Sequence, residues 1–240
     1  MSSNPRLRPL RVVVFGATGT VGAGVVLECL DSPAIAQVLC IVRRSSGRTH
    51  AKLREVVHSD FSDLTSIEPE LANVDACFWC VGIPSAGLTE ERYTEVTLDY
   101  TQAAARVLRE QSPDLCFVFV SGEGADETEQ SRTMWARVKG RAENAILGMG
   151  FRSAVVFRPG MIVPRRGLRH NVRLYGVTTM ILLPFLPLLR ALGRATSTVE
   201  IGRAMIAAAL GGHVGEPPKQ RLDSKDINEL AKRAPPAATG

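Results

Sequence analysis

Short runs of apolar residues alternate, over the first two thirds of the chain, with longer stretches in which apolar residues recur every three to four positions. The short runs predict strands, and the longer stretches predict amphipathic helices. Continuous apolar strands separated by helices are typical of a parallel sheet that is covered on both faces. The predicted strands are Arg11–Phe15, Gln37–Val42, Glu55–His58, Ala76–Val81, Leu115–Val120 and Ala154–Phe157.

This alternation predicts an α/β fold with a Rossmann-like, doubly wound parallel sheet in the order 3-2-1-4-5-6, whose ligand crevice lies above strands 1 and 4. Beyond about residue 160 the elements become shorter. A capping box at Ser197–Glu200 predicts a helix through about Leu210, and a one-sided apolar pattern predicts a last helix over Asp223–Lys232. We therefore expect a single domain over residues 1–240, in which residues from about 160 to 240 form a small helical annex on the substrate side of the cleft.

The first predicted strand ends in three glycines spaced three apart, which predicts a dinucleotide site. Gly16 allows a sharp turn, Gly19 allows a pyrophosphate to approach the backbone, and Gly22 allows the following helix to pack closely on its strand. The first turn of that helix offers N–H groups and a partial positive charge to an anion. An ordinary strand-to-helix turn is the alternative. The predicted contacts in this loop are Gly16, Thr18, Gly19, Thr20, Val21 and Gly22.

The residues after the second strand predict which nucleotide binds. A site that prefers NAD usually has an acid there to hold the ribose hydroxyls, whereas this chain has Arg43 and Arg44. Two guanidinium groups would pair strongly with the 2′-phosphate of NADP. We therefore predict NADP(H) rather than NAD(H), the alternative being that these arginines are solvated loop charges.

Further cofactor contacts are predicted at the ends of later strands. Asp60 could accept a hydrogen bond from the adenine amino group, with Phe61 packing nearby. Gly82 ends the fourth strand, where a glycine permits close approach of the backbone to a cofactor, although a simple turn explains it equally well. Pro159 follows the sixth strand and is expected to shape the adjacent wall.

Composition narrows the class of protein. The 240 residues include 45% apolar residues, enough for a sizeable core, and the formal charge of +5 is moderate. The basic residues Arg6, Arg8 and Arg11 precede only a short apolar run, not the core of a secretory signal. We therefore expect a cytoplasmic protein.

The five cysteines are interpreted as small buried side chains. Cys77 and Cys80 form a CxxC pair, but on a strand these positions point to opposite faces. This placement argues against a redox or metal pair. No His/Cys cluster has the spacing of a zinc site, so no metal is predicted.

Beyond the glycine-rich turn, several short motifs follow in a fixed order: Arg43-Arg44, Asp99-Tyr100, the segment from Val120 to Asp126, Val138-Lys139-Gly140 and Phe157-Arg158-Pro159-Gly160. Over about residues 10–165 the chain resembles the atypical and extended short-chain dehydrogenase/reductase superfamily. In particular it is similar to the NAD(P)-binding group that includes the human Tat-interacting protein. This resemblance implies the fold and a nicotinamide cofactor, but no particular reaction.

The resemblance also implies a catalytic arrangement. The superfamily uses a tyrosine four residues before a lysine on one helix, together with a serine that ends strand 5. The spacing places tyrosine and lysine on one face, and the lysine charge lowers the pKa of the tyrosine, so that the phenol can pass a proton. In the superfamily the lysine also hydrogen-bonds the nicotinamide ribose. Ser121 and Lys139 match the serine and lysine, whereas Trp135 occupies the tyrosine position.

Trp135 restricts what the site can do, because an indole N–H donates a hydrogen bond but carries no proton to shuttle. Losing a general acid lowers a rate by about 10²–10⁴-fold. Three alternatives remain open: nucleotide binding without turnover, reduction with another proton source, or a different reaction in the same cleft. Tyr93 could supply the proton if it lies at the cleft rim rather than in the core, and Thr97 stands where the superfamily often has an asparagine. Lys139 could instead be a solvated helix lysine, and Ser121 a capping or turn serine.

The segment from Phe151 through Val199 contains eight arginines and no acid, so the rest of the chain is net negative. Such asymmetry predicts an anionic partner or surface. An apolar run, Val177–Leu189, lies within it and is too short to span a bilayer. Three uses remain open: a hydrophobic cover over the cleft, an anionic or lipophilic substrate held by arginine, or docking on an acidic membrane surface. The arginines of the segment are Arg152, Arg158, Arg165, Arg166, Arg169, Arg173, Arg190 and Arg194.

These patterns lead to one expected function and one alternative. We expect an NADP(H)-dependent oxidoreductase that acts on a small apolar carbonyl or alcohol. The alternative is a catalytically silent NADP(H)-binding regulatory or interaction protein. Nucleic acid is not an expected partner, because aromatic residues do not interleave with the basic segment. A homodimer could form through the helices that flank strand 6.

Overall fold

The residues from Val12 to Phe15 are fully buried, because helices cover both faces of the central strand that contains them. This strand lies in the middle of a seven-stranded parallel sheet. The computed structural model describes residues 8–168 and 186–236. The sheet is formed by β1 (Leu10–Phe15), β2 (Ile35–Val42), β3 (Leu53–Val57), β4 (Ala76–Trp79), β5 (Cys116–Val120), β6 (Ser153–Arg158) and β9 (Arg221–Asp223).

The strand order is β3-β2-β1-β4-β5-β6-β9, which confirms the predicted Rossmann-like α/β fold and extends it by one strand. β9 pairs in parallel with β6. It has only three residues, Arg221, Leu222 and Asp223, so it lacks the apolar run that predicted the other strands. A separate two-stranded sheet joins β7 (Met161–Val163) and β8 (Ala195–Ser197).

Helices cover both faces of the main sheet. They are α1 (Thr20–Asp31), α2 (Glu90–Thr94), α3 (Tyr100–Gln111), α4 (Met134–Leu147), α5 (Leu186–Ala191), α6 (Thr198–Ala209) and α7 (Ser224–Ala231). A 3-10 helix, Thr65–Leu71, precedes β4, and a π-helical segment, Glu95–Asp99, joins α2 to α3.

The alternation of side chains along β1 divides the core into two layers. Val12 and Val14 pack on the side of α1, α6 and α7, whereas Val13 and Phe15 pack on the side of α3 and α4. Because β1, β4 and β5 pair in parallel, their carboxyl ends lie at one edge of the sheet, with a helical layer on each side. This edge is where an α/β sheet of this order binds its ligand.

Cys77 and Cys80 lie in opposite layers, Cys77 with the α3 side and Cys80 against the α1 side. Burial raises the pKa of both thiols, which keeps them protonated at neutral pH. Their interpretation as buried small side chains agrees with this geometry.

The segment after residue 160 contains both of the predicted helices. α6 packs against α1 and α7, and its buried face contributes Ile201 and Met205 to the core. Ser197 caps α6, since its hydroxyl accepts hydrogen bonds from the backbone N–H groups of Val199 at 3.2 Å and Glu200 at 3.4 Å. The same segment contributes β9, which pairs with β6 at the end of the main sheet.

Replacing Ser197 with alanine should lower the free energy of unfolding by about 1 kcal/mol, because two N–H groups at the start of a buried helix lose their acceptor. Chemical denaturation followed by circular dichroism measures this change. Ser66→Ala, at an exposed serine of the 3-10 helix, is the matched control and should leave the midpoint unchanged. Equal midpoints for Ser197→Ala and the wild type would show that the cap does not contribute.

Candidate functional site

The glycine-rich turn after β1 is shaped by close backbone contacts. Gly16 has a φ of 75°, and a Cβ added there would lie 2.6 Å from the carbonyl oxygen of Cys80. A Cβ at Gly22 would overlap the carbonyl oxygen of Gly16. The N–H of Gly19 donates to that same oxygen at 2.9 Å, which closes the turn. Side chains at these glycines would therefore force the turn apart.

Helix α1 begins directly after this turn, with Gly19 as its N-cap. No side chain of the described residues caps it, and its first turn contains no acidic residue. The partial positive charge of the helix N-terminus is thus left for an external anion. Thr20, Val21 and Gly22 form this first turn, and the arrangement fits the diphosphate of a dinucleotide.

Arg43 and Arg44 directly follow β2, and both are exposed. Within residues 8–168 and 186–236, neither guanidinium has a hydrogen-bond or ion-pair partner. Both arginines therefore face solvent at the end of β2, and their contact with a cofactor stays a prediction.

A pocket of about 300 Å³ lies beside the glycine-rich turn. Thr18 lines it from the turn, Ser46 and Arg48 line it from the loop after β2, and Glu55 lines it from β3. The sequence analysis missed Glu55 and Arg48. The run Ser45-Ser46-Gly47-Arg48 after β2 is a polar signal that could have pointed to the loop, but nothing in the sequence pairs that loop with β3.

Asp60 and Phe61, predicted near the adenine, have different surroundings. Phe61 is buried and packs edge-on against Phe15 and Tyr100, which places it in the core layer. Asp60 is exposed, and its carboxylate accepts hydrogen bonds from the backbone and the hydroxyl of Ser62. These bonds lower the pKa of Asp60.

Gly82 is exposed just after β4, and a Cβ there would meet nothing within 4 Å. The fold itself therefore does not require glycine at this position, and both a cofactor contact and a simple turn remain open. Pro159 is buried, and its carbonyl oxygen accepts a hydrogen bond from the N–H of Glu123 at 3.0 Å. This bond joins the turn after β6 to the loop after β5.

Lys139 on α4 is only 9% exposed, so it is not a solvated helix lysine. Its ammonium donates to the carbonyl oxygen of Val120 at 3.2 Å and lies 4.9 Å from the centre of the Phe119 ring. Burial lowers the pKa of Lys139 to about 8, although the negative charge of Glu143 raises it in part. The ammonium is thus placed at the carboxyl end of β5 and titrates near neutral pH.

Ser121, at the end of β5, neither caps a helix nor closes a turn through its side chain. Its hydroxyl donates to the carboxylate of Glu143 at 2.5 Å. Glu143 is fully buried on α4, four residues after Lys139, and also accepts from Arg158 at 2.5 Å and from Arg221 at 3.1 Å. The Ser121 hydroxyl therefore donates its proton to a buried carboxylate in this structure, and only its oxygen lone pairs remain for a substrate. Sequence analysis missed Glu143, because a lone acid in a helix gives no signal of burial.

Trp135 lies one helical turn before Lys139 on α4, as the spacing predicted. Its ring packs over the loop after β5, where a Cβ at Gly124 would lie 3.2 Å from Cη2 of the indole. Tyr93 is only 4% exposed, on α2, which packs against α4. Burial favours a packing role for Tyr93 over a place at the cleft rim.

Thr97 lies in the π-helical segment and is 2% exposed. Within the described part of the chain its hydroxyl is buried without a hydrogen-bond partner, as is the indole nitrogen of Trp79 at the end of β4. π-helical insertions are frequent at functional sites. Buried polar groups without partners are uncommon, and both lie in the layer that contains Lys139.

The basic segment is partly neutralised by the chain itself. Arg166 pairs with Glu28 at 3.0 Å and with Asp31 at 2.7 Å, and Arg190 pairs with Glu200 at 3.1 Å. Since these acids belong to other elements, part of the charge asymmetry of the sequence serves internal ion pairs. Arg165 donates its backbone N–H, not its side chain, to Thr198 in a further contact. Arg169 and Arg173 lie outside the described residues.

The apolar run of the same segment, Val177–Leu189, is described only from residue 186 onward. There α5 exposes Leu188, and Leu192 follows it at 62% exposure. No helix in the described ranges is long and apolar enough to cross a membrane. The cover, substrate and membrane-surface interpretations of this run stay predictions, as does the homodimer.

No group of three or more His, Cys, Asp or Glu residues among those that the structure describes is arranged to hold a metal ion.

Comparison with known proteins gives a family. The sequence model of the NAD dependent epimerase/dehydratase family matches residues 12–142, more than half of the chain. The solved structure of the Bordetella bronchiseptica enzyme WbmF in complex with NAD+ is similar, with a TM-score of 0.65 at 15% identity, covering 95% of this chain and 78% of that chain. This likeness confirms the fold. The match to the family model confirms the resemblance to the extended short-chain dehydrogenase superfamily, whereas the similarity to the Tat-interacting group stays a prediction.

Two curated relatives are named as mitochondrial proteins. Protein fmp52 of Emericella nidulans is 30% identical over 162 residues, covering 65% of this chain and 68% of the relative. Protein FMP52 of Chaetomium globosum is 26% identical over 229 residues, covering 92% and 96%. These names contradict the cytoplasmic location expected from composition, which is therefore wrong. Moderate charge and the lack of a secretory pattern do not distinguish the two compartments.

Replacing Lys139 with methionine should raise the free energy of unfolding at pH 7 by about 1–3 kcal/mol, because folding buries a charge at that pH. The unfavourable effect of the lysine is complete below its folded pKa of about 8. It disappears as the pH rises toward the ordinary lysine value, since both states then lose the proton. Denaturation at pH 7 and pH 10 should therefore show a gain that shrinks with pH. A gain that is equal at both values would contradict titration of Lys139 in the fold.

Proposed function

The chain belongs to the NAD dependent epimerase/dehydratase family, and from this premise we propose that it is an NADP(H)-dependent oxidoreductase acting on a small apolar carbonyl or alcohol. The observation that carries the proposal is the convergence of two features on one sheet edge. One is the uncapped N-terminus of α1 behind the glycine-rich turn. The other is the buried ammonium of Lys139 at the end of β5.

The cofactor supplies or accepts a hydride when bound, and the residues of this chain provide its binding surface. Gly16, Gly19 and Gly22 leave room for a diphosphate at the start of α1. Lys139 is close enough to the end of β5 to hold the nicotinamide ribose, a contact for which a cation in reach is sufficient. Trp135 packs over the loop after β5 and would present an apolar ring to the substrate, which favours an apolar compound.

The preference for NADP(H) rests on charge. Arg43 and Arg44 stand at the end of β2 with exposed guanidinium groups, and Arg48 lines the neighbouring pocket. A 2′-phosphate would gain charge-assisted hydrogen bonds from such groups, whereas the hydroxyls of NAD would not. The structurally similar enzyme WbmF was solved with NAD+, so this fold accommodates the unphosphorylated cofactor as well.

The proton needed for carbonyl reduction must come from a group other than Trp135. Lys139 is the candidate that the geometry favours, because its ammonium lies one turn from Trp135 and its pKa of about 8 suits proton transfer near neutral pH. Ser121 would orient the substrate by accepting rather than donating a hydrogen bond, since its proton is held by Glu143.

Trp135 and Ser121 also favour a second function. With Trp135 in place of a tyrosine and the hydroxyl proton of Ser121 held by Glu143, the cleft could bind NADP(H) without turning over a substrate. The protein would then be a regulatory or interaction protein that responds to the nucleotide.

NADPH should bind more tightly than NADH, and the double variant Arg43→Ala with Arg44→Ala should remove most of the difference while changing the NADH affinity little. The reason is that the guanidinium groups interact with the 2′-phosphate, which only NADP(H) carries. Isothermal titration calorimetry with NADPH, NADP+, NADH and NAD+ measures these affinities. Arg106→Ala with Arg109→Ala, on α3, is the control of equal charge. Equal wild-type affinities for NADPH and NADH would contradict the NADP assignment.

Replacing Trp135 with tyrosine should raise NADPH-dependent reduction of small aldehydes and ketones by about 10²-fold or more, because the phenol restores a proton donor one turn from Lys139. NADPH consumption is followed by absorbance across a panel of carbonyl compounds. Trp135→Phe is the matched control, since it changes the ring without adding a proton donor. If Trp135→Tyr binds NADPH normally and still reduces nothing, the silent binding protein is the better description.

A further inference from the structure

We propose that the carboxylate of Glu55 occupies, in the nucleotide-free protein, the anion site that receives the 2′-phosphate of NADP(H), and that it thereby limits the preference for NADP(H) over NAD(H). The inference rests on the proposed function, because it assumes that a dinucleotide binds at the glycine-rich turn. It goes further by naming a residue of β3 that sets the choice between the two cofactors.

The carboxylate of Glu55 is held by donors from a single short loop. The hydroxyl of Ser45 donates to it at 2.6 Å and the hydroxyl of Ser46 at 2.5 Å. The backbone N–H of Ser46 donates to both oxygens, at 3.1 and 3.3 Å. Partial burial opposes ionisation of Glu55, but the bonds from Ser45 and Ser46 outweigh it and lower its pKa, so the group is an anion at neutral pH.

These donors are the kind that bind a phosphate monoester. Two hydroxyls and a backbone N–H converge on one point, and a guanidinium stands beside them in the same pocket. Arg48 lines the same pocket as Glu55, and its positive charge lowers the pKa of that carboxylate. Within the part of the chain that the structure describes, Arg48 has no ion-pair partner in hydrogen-bond reach.

The position of the pocket connects it to the dinucleotide site. Thr18 and Ala17 of the glycine-rich turn line one side, and Ser46, Arg48 and Glu55 line the other. A dinucleotide whose diphosphate sits at the start of α1 places its adenosine ribose toward the end of β2, where this loop begins. The pocket volume of about 300 Å³ leaves room for a phosphate group together with part of the ribose.

The two cofactors would meet Glu55 differently. A 2′-phosphate must displace the carboxylate from Ser45 and Ser46, and it is repelled by the negative charge at short range. The 2′-hydroxyl of NAD(H) needs no displacement and can donate a hydrogen bond to the carboxylate where it stands. Glu55 therefore opposes the attraction that Arg43, Arg44 and Arg48 exert on NADP(H).

Calorimetric titration of the full chain with matched nucleotide pairs tests this inference. Glu55→Gln keeps the size of the side chain and removes its charge. We expect it to bind NADPH and adenosine 2′,5′-bisphosphate about tenfold more tightly than the wild type does, with the larger gain at low salt. The affinities for NADH and 5′-AMP should stay equal or fall, because these ligands lack the 2′-phosphate.

Two further variants separate the effect of this carboxylate from a general change of charge or fold. Glu70→Gln removes one negative charge from the 3-10 helix, where Glu70 pairs with Arg54 away from the pocket lining, and should leave all four affinities unchanged. Arg48→Ala in the Glu55→Gln background should lose most of the gain for NADPH. Glu55→Ala repeats the test if the glutamine variant melts at a lower temperature than the wild type.

The outcomes that overturn the inference are distinct. If Glu55→Gln and Glu55→Ala leave the ratio of NADPH to NADH affinity at the wild-type value, the carboxylate does not lie in the 2′-phosphate site. If both variants bind NADPH more weakly, Glu55 supports the loop instead of competing for it. If the wild type and every variant fail to bind all of these nucleotides, the proposed function fails together with the inference.

Discussion

The close approach of three backbone segments at the start of α1 is the constraint on which the rest of the site depends. Gly16 turns against the carbonyl oxygen of Cys80, and Gly22 lies on the carbonyl of Gly16. Because these contacts exclude side chains, β1, β4 and the helix meet at one edge of the sheet. The positive end of α1 then faces the crevice, and the pocket of Glu55 and the ammonium of Lys139 lie on opposite sides of the same edge.

Much of the fold was predictable from local pattern, and the reason is visible in β1. Its four apolar residues in succession are buried on both faces, so sequence and environment carry the same information. β9 was missed because a three-residue strand at the end of the sheet takes its structure from its pairing with β6, not from its own composition. The capping box at Ser197 was found because its donors and acceptor are at most three residues apart.

The site was only partly predictable, and the difference lies in the range of the interactions. Gly22 follows from the spacing of the three glycines, and Lys139 follows from the resemblance to the superfamily. Glu55 and Glu143 matter because of partners that are distant in sequence: Glu143 meets Ser121, Arg158 and Arg221 from three different strands or their ends. A single sequence carries no record of such pairs. Arg43 and Arg44 at the end of β2 are adjacent in sequence and therefore easy to recognise. Glu55, which is proposed to oppose their attraction for NADP(H), lies on the next strand.

The buried carboxylate of Glu143 has a consequence for how this protein can change over time. Removing one member of a buried ion pair leaves an uncompensated charge and is strongly destabilising, by about 3–5 kcal/mol, whereas replacing all members with apolar groups is tolerated far better. We therefore expect Arg158, Arg221 and Glu143 to be replaced together, because a single substitution would lower the stability of the fold. A joint replacement would also free the Ser121 hydroxyl from its acceptor. A variant of this chain whose Ser121 is free to donate would therefore need several charged residues exchanged together.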